Sequence, residues 1–182
     1  ILIAGRWYTS KKIDSGDWTY VSPNDLPEDF AKIPDSSDIS DVRYTVPGTE
    51  EAKDALLDNS IPQTAEVDRK KAKVEVKYDG NPSFKKIEPT SISYAENADK
   101  TVLLIDKKYY CVDDAIWFVA SAATGPWQVC VEVPEAVQDI PASSPVYNVK
   151  YVYVYDYTPD VVYVGYTPGY YGSYTYYGTV IY

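Results

Sequence analysis

The first bound on chemistry in this chain is that its 182 residues include no histidine. That absence removes histidine general bases, Ser-His-Asp and Cys-His nucleophile pairs, histidine-ligated haem and nearly all catalytic zinc sites. Paired carboxylates can still hydrolyse a glycosidic bond, since the reaction needs only an acid and a base or nucleophile roughly 5 to 10 Å apart. The densest pair, Asp113-Asp114, stands where a tight β-turn uses Asp for its own backbone hydrogen bonds, so a turn is the first reading and a carboxylate-only glycosidase the last. "DSSDISD" (35–41) alternates oxygen donors as a calcium loop does. Ser40 and Val46, however, occupy the positions where an EF-type loop needs glycine and a bidentate glutamate, and the segment reads as a solvated loop. No phosphate-binding glycine loop, zinc spacing or dinucleotide fingerprint occurs. The expectation is therefore a non-catalytic protein with no catalytic residues, no metal and no cofactor.

Cys111 and Cys130 form a possible disulfide in an acidic, tyrosine-rich chain of extracellular character. If both lie on the outer strands of one three-stranded meander, a central strand separates them by roughly 9 to 10 Å, beyond the Cα limit of about 7 Å for a bridge. Two buried free thiols are the alternative.

The aromatic residues are the remaining candidates for binding. Trp7, Trp18, Trp117 and Trp127 can either fill a small β core or expose one member per repeat to a sugar ring. Thirteen of the 20 tyrosines fall between Tyr147 and Tyr182. In "KYVYVYDYTPD" the period of two places Tyr151, Tyr153, Tyr155 and Tyr157 on one strand face, opposite Val152, Val154 and Asp156. Tyr166 and Tyr170 follow around "TPG", where Thr167-Pro168-Gly169 suits a type II turn. Such a tyrosine row can pack on the domain, stack on glycans or mate with a neighbouring subunit's strands.

Charge narrows the partners. Twenty-seven acidic against 17 basic residues give a formal charge of −10, which opposes nucleic-acid phosphates and anionic lipid surfaces. The one basic cluster, "DRKKAK" (68–73), reads as an exposed turn. No run approaches the roughly 18 apolar residues of a membrane-spanning helix, and "ILIAGRWY" is too short and too quickly polar for a signal peptide.

The elements that must position these residues are written twice. "RWYTSKKIDSGDWTYV" (6–21) matches "IWFVASAATGPWQVCV" (116–131), each with an aromatic pair followed by a turn and a second Trp. Ile33-Pro34 matches Ile140-Pro141, and Val42-Arg43-Tyr44 matches Val149-Lys150-Tyr151, the latter expected to begin the tyrosine strand. The shared order predicts a diverged duplication. The second copy is led in by "KTVLLIDKKYYCVDDA", read as two strands around an Asp106-Lys107 turn. The first copy lacks that lead-in, which, with an initial Ile1 and no methionine, predicts a processed or excised chain beginning inside a repeat. Between the copies, Thr49 caps a predicted helix with Glu50 and Glu51 in its first turn. "AKVEVKYDGNPSF" (72–84) alternates as a half-exposed strand, and "PNDLPEDFAKI" predicts a one-turn helix opened by Pro27 and carrying Phe30 inward. The expected architecture is mainly β: antiparallel meanders from a diverged duplication, with one or two short helices. Its divisions are a truncated first repeat (1–48), a helix-plus-strand insert (49–100) and a second repeat with a tyrosine-rich extension (101–182), packed as one compact unit.

"RWYTSKKIDSGDWTYV" and "KKYYCVDDAIWFVASAATGPWQVC" resemble small chitin- and cellulose-binding modules that carry a K-W-W-T-Q type strand and a second Trp after a Gly/Pro turn. More broadly, "GRWY", "DLPEDFAKIP", "YYCVDDAIWFVASAATGPW", "IPASSPVYNVKYVYVY" and "TPDVVYVGYTPGYYG" resemble a segment of large bacterial cell-envelope proteins loosely labelled carbohydrate-binding or autotransporter-like. The resemblance implies an extracytoplasmic setting within a longer polypeptide, with a glycan or neighbouring envelope or fibre subunits as partner. It carries over no catalytic residue.

Overall fold

The computed structural model describes residues 1–182 apart from the side chain of Ser15. In chain order it forms strands β1 (Leu2–Ile3), β2 (Arg6–Thr9) and β3 (Thr19–Val21), helix α1 (Glu50–Ser60), then β4 (Gln63–Asp68), β5 (Phe84–Lys86), β6 (Ser93–Ala95), β7 (Thr101–Ile105), β8 (Lys108–Asp113), β9 (Ile116–Ala120), β10 (Gln128–Val129), β11 (Val152–Tyr157), β12 (Val161–Tyr166), β13 (Tyr174–Tyr176) and β14 (Thr179–Ile181). All ladders are antiparallel, and the fold is mainly β as expected. Several hairpins close on two residues that both have positive φ: Ala4-Gly5, Asp106-Lys107, Asp114-Ala115 and Tyr177-Gly178. This is the turn whose twist matches that of the flanking strands.

The chain divides into two compact units, residues 1–61 with 171–182 and residues 62–170. β4 belongs with the second repeat and the C-terminal hairpin with the first.

In the first unit β1, β2 and β3 form a sheet whose central Trp7 is buried and donates from Nε1 to Thr45 Oγ1 at 3.0 Å. Phe30 meets its ring edge-on at 5.0 Å. α1 starts where Thr49 Oγ1 accepts from the Ala52 amide, with Glu50 and Glu51 complementing the positive end of the helix. The β13–β14 hairpin buries Thr179, Val180 and Ile181. β14 passes so close to Gly5 that a Cβ there would stand 2.6 Å from the Val180 carbonyl oxygen.

The second unit is layered around the six-stranded sheet β10-β9-β8-β7-β6-β5. One face presents Leu103, Ile105, Tyr110, Val112, Trp117 and Cys130 to a core completed by Val137, Ile140, Val146 and Val149 from 3₁₀ turns. The other presents a row across four strands, Val102, Cys111, Phe118 and Val129. Against that row pack Val162 and Val164 of a three-stranded sheet, β11-β12-β4. Trp117 is fully buried and donates from Nε1 to the Val152 carbonyl at 3.0 Å.

The duplication is written in backbone geometry as well as in sequence. Val112↔Trp117 and Leu2↔Trp7 pair across equivalent hairpins. Ile33 N–H bonds the Phe30 carbonyl and Ile140 N–H the Val137 carbonyl, both at 3.3 Å, while Ser37 to Pro34 and Ser144 to Pro141 are both 2.9 Å. Arg43 Nη1 donates to the Ile33 carbonyl as Lys150 Nζ donates to that of Ile140. The Val42-Arg43-Tyr44 and Val149-Lys150-Tyr151 matches are 3₁₀ turns rather than strand starts, at Ser40–Thr45 and Tyr147–Tyr151. "PNDLPEDFAKI" likewise forms two 3₁₀ turns, Pro23–Asp25 and Glu28–Lys32.

Candidate functional site

The tyrosine face is built by β11, β12 and β4. β12 pairs along its whole length with β4, from Val161↔Asp68 to Tyr166↔Gln63, and with β11 on its other side. Val162 and Val164 point into the core, so Tyr163 and Gly165 point outward. A bulge between Val154 and Asp156 inserts Tyr155 without a partner. It changes the expected single-face row. Tyr151 precedes the strand in its 3₁₀ turn, and Tyr157 pairs with Val162 beyond the bulge.

What remains outward is a platform of three rings. Tyr153 and Tyr155 lie 5.9 Å apart, tilted by only 32°. The Tyr155 ring rests on Gly165, where a Cβ would come within 2.8 Å of its Cε2 atom and 2.7 Å of the Gln63 carbonyl oxygen. Tyr155 is 51% exposed and Tyr163 39%. Partial burial, then the neighbouring Tyr153, raises the Tyr155 phenol above its ordinary pKa, so it remains a neutral ring at neutral pH. Around them stand Thr64, Glu66 and Asp156, all exposed. Tyr163, Gly165 and Glu66 escaped the sequence reading. The signal was present in "VVYVG", where a tyrosine alternates with core valines.

The other aromatic candidates are placed elsewhere. Trp7 and Trp117 are core residues. Trp18 is half-buried, and Trp127 packs beside the second core with its ring against Gly125. Tyr151 lies over Gly169, where a Cβ would meet three of its ring atoms within 2.6 Å, and burial pushes its phenol up to about 12. The type II turn expected there is a 3₁₀ turn, Pro168–Tyr171, and Gly169 is needed for the close approach of a ring. Tyr166 and Tyr170 pair at 5.8 Å against the first core. Tyr157 is exposed, with the Arg69 guanidinium 5.8 Å over its ring.

The charged motifs have local partners. Asp113 ends β8 in a 2.7 Å ion pair with Lys100, and Asp114 sits in the turn at a φ of 47°. The basic run fastens the β11–β12 turn: Lys70 meets Asp160 at 2.5 Å, Arg69 donates to the Thr158 carbonyl, and Lys71 pairs with Asp68. In "DSSDISD", Asp35 contacts Arg43 at 3.3 Å. Among the described residues, no group of three or more Asp, Glu or Cys side chains is set to hold a metal. Among the described residues, no helix is long and apolar enough to cross a membrane.

Cys111 and Cys130 are free thiols on opposite faces of the six-stranded sheet, each in a different core, so they do not form the possible disulfide. Burial pushes Cys111 up to about 12 and raises Cys130 as well. Neither is expected to react with a maleimide in the native protein at neutral pH, and both should react in urea. Rapid labelling of the native protein would contradict this placement.

No protein-family profile matches the chain, and no curated protein or solved structure matches it either.

Proposed function

We propose that this chain is a non-catalytic extracytoplasmic module of a bacterial envelope or extracellular protein, binding polysaccharide through the tyrosine face of β11-β12-β4. The observation that carries this reading is the Tyr153–Tyr155 pair: two neighbouring rings tilted by 32°, Tyr153 half-buried and Tyr155 exposed and seated on Gly165, continued by the exposed Tyr163. Pyranose rings present apolar C–H faces that stack on such rings, and an open sheet face accommodates a chain rather than a single sugar. The paired carboxylates support no hydrolytic alternative, since Asp113 is tied to Lys100.

The test is binding to insoluble chitin, cellulose and peptidoglycan, with soluble oligosaccharides for calorimetry. Tyr153→Ala/Tyr155→Ala is expected to weaken binding by about tenfold or more, from roughly 0.5–1.5 kcal/mol per aromatic contact, with no change in thermal stability beyond a few degrees. Binding unaffected by the double substitution would move the site away from this face.

A second reading is a structural subunit whose tyrosine-rich strands pair between chains. β13 favours it, because among the described residues it pairs with β14 alone, and its residues are exposed throughout. Unpaired strand edges of this kind template further strands. Light scattering separates the readings: concentration-dependent oligomers support assembly, whereas a monomer that binds glycan excludes it.

A further inference from the structure

Resting on the polysaccharide reading, we propose that the tyrosine face selects an amine-bearing β-linked polysaccharide, one built of glucosamine units with free amino groups, over neutral and acidic glycans. The selection comes from what flanks Tyr163. In the ladder its partner on β11 is Asp156 and its partner on β4 is Glu66. Directly paired residues of antiparallel strands share a face, with Cβ atoms about 4.5–5.5 Å apart. An outward aromatic ring therefore stands between two carboxylates. All three residues are exposed.

Those carboxylates have no cation of their own among the described residues. Asp156 accepts only the amide of Tyr157, at 2.8 Å, and Glu66 takes part in no ion pair. The nearby basic residues are engaged elsewhere, Lys70 with Asp160, Lys71 with Asp68, and Arg69 with the Thr158 carbonyl and the Tyr157 ring. An ammonium over Tyr163 would meet the negative face of the ring and two unneutralised carboxylates together, which is charge complementarity of one sign at one place. The adjoining rings of Tyr153 and Tyr155 take the apolar sugar faces, so the amine is read in the context of a stacked chain. A uronic-acid chain would bring carboxylates against Asp156 and Glu66 in a protein whose formal charge is already −10.

The experiment is calorimetry with four oligosaccharides of equal length: a glucosamine oligomer, its N-acetylated form, a cello-oligomer and an oligogalacturonate. The glucosamine oligomer should bind roughly fivefold tighter than the two neutral ones, with the acidic one weakest. Glu66→Gln/Asp156→Asn should erase that preference while neutral binding persists. Glu75→Gln/Asp139→Asn, which removes the same charge from exposed positions off this face, should leave it intact. Equal affinity for the glucosamine and neutral oligomers overturns the selection and leaves the polysaccharide reading standing. Loss of preference in both double variants overturns it as well, by assigning the effect to net charge. Failure of the wild type to bind any glycan overturns both.

Discussion

Replacing Trp117 by alanine is expected to destabilise the second unit by about 3–5 kcal/mol, the range for deleting a buried aromatic side chain. Trp117 is fully buried in β9, between Val112 of β8 and the Cys130 amide that bonds its carbonyl at 2.8 Å. Its side chain also spans two layers, because Nε1 donates to the Val152 carbonyl where β11 begins. Truncation removes the packing area and leaves that carbonyl without its donor. Trp117→Phe separates the two effects: it keeps most of the apolar area and loses only the hydrogen bond, for about 1–3 kcal/mol. Both should lower the urea midpoint of residues 62–170, followed by hydrogen exchange so that this unit is scored by itself. Trp7 is the built-in comparison. It makes the same kind of bond to Thr45 but is 8% exposed, so Trp7→Ala should cost its own unit less. An alanine variant of Trp117 with wild-type stability would remove the duplicated Trp clip as the organising contact of each repeat.

That clip is legible in the sequence alone. The Trp spacing and the Ile-Pro offsets revealed the duplication because both copies keep the same local hydrogen bonds, and local geometry leaves a local trace. α1 was legible for the same reason: its cap at Thr49 and its acidic first turn are contained within a few residues. The "AKVEVKY" segment was half legible. Residues 72–78 do alternate between half-buried and exposed, with Ala72, Val74 and Val76 on the second core. No ladder joins them, however, and only an isolated bridge from Tyr78 to Ala98 follows. Alternation reports an extended chain with one wet side, and a strand needs a partner as well. β4 was missed for the complementary reason, since "QTAEVD" is weakly patterned and is made a strand by β12, nearly a hundred residues away. The site suffers from the same non-locality. Its bulge at Tyr155 and the placement of Tyr163 between Asp156 and Glu66 are properties of a three-strand register, which period-two counting along one strand cannot supply.

Gly165→Val should strike fold and site together. A side chain at this position meets three groups at once: the Gln63 carbonyl oxygen at 2.7 Å, the Tyr155 ring at 2.8 Å and the Thr64 Cγ2 at 3.1 Å. The tyrosine could swing aside, but the carbonyl belongs to the β4 ladder and moves only with its strand. Overpacking of this kind costs about 1–3 kcal/mol, and valine's two further methyls place it toward the upper end. Because β propensity alone favours valine over glycine, a destabilised variant would show that close approach, rather than backbone freedom, holds glycine here. The functional consequence is separable from the structural one. Below the melting temperature of the variant, the Tyr155 ring has lost its seat and its place beside Tyr153. Glycan affinity is then expected to fall by about tenfold, as in Tyr153→Ala/Tyr155→Ala, while the core thiols Cys111 and Cys130 stay protected from maleimide. Affinity retained alongside a lowered melting temperature would mean that ligand contacts lie on Tyr163 and its carboxylates without the paired rings.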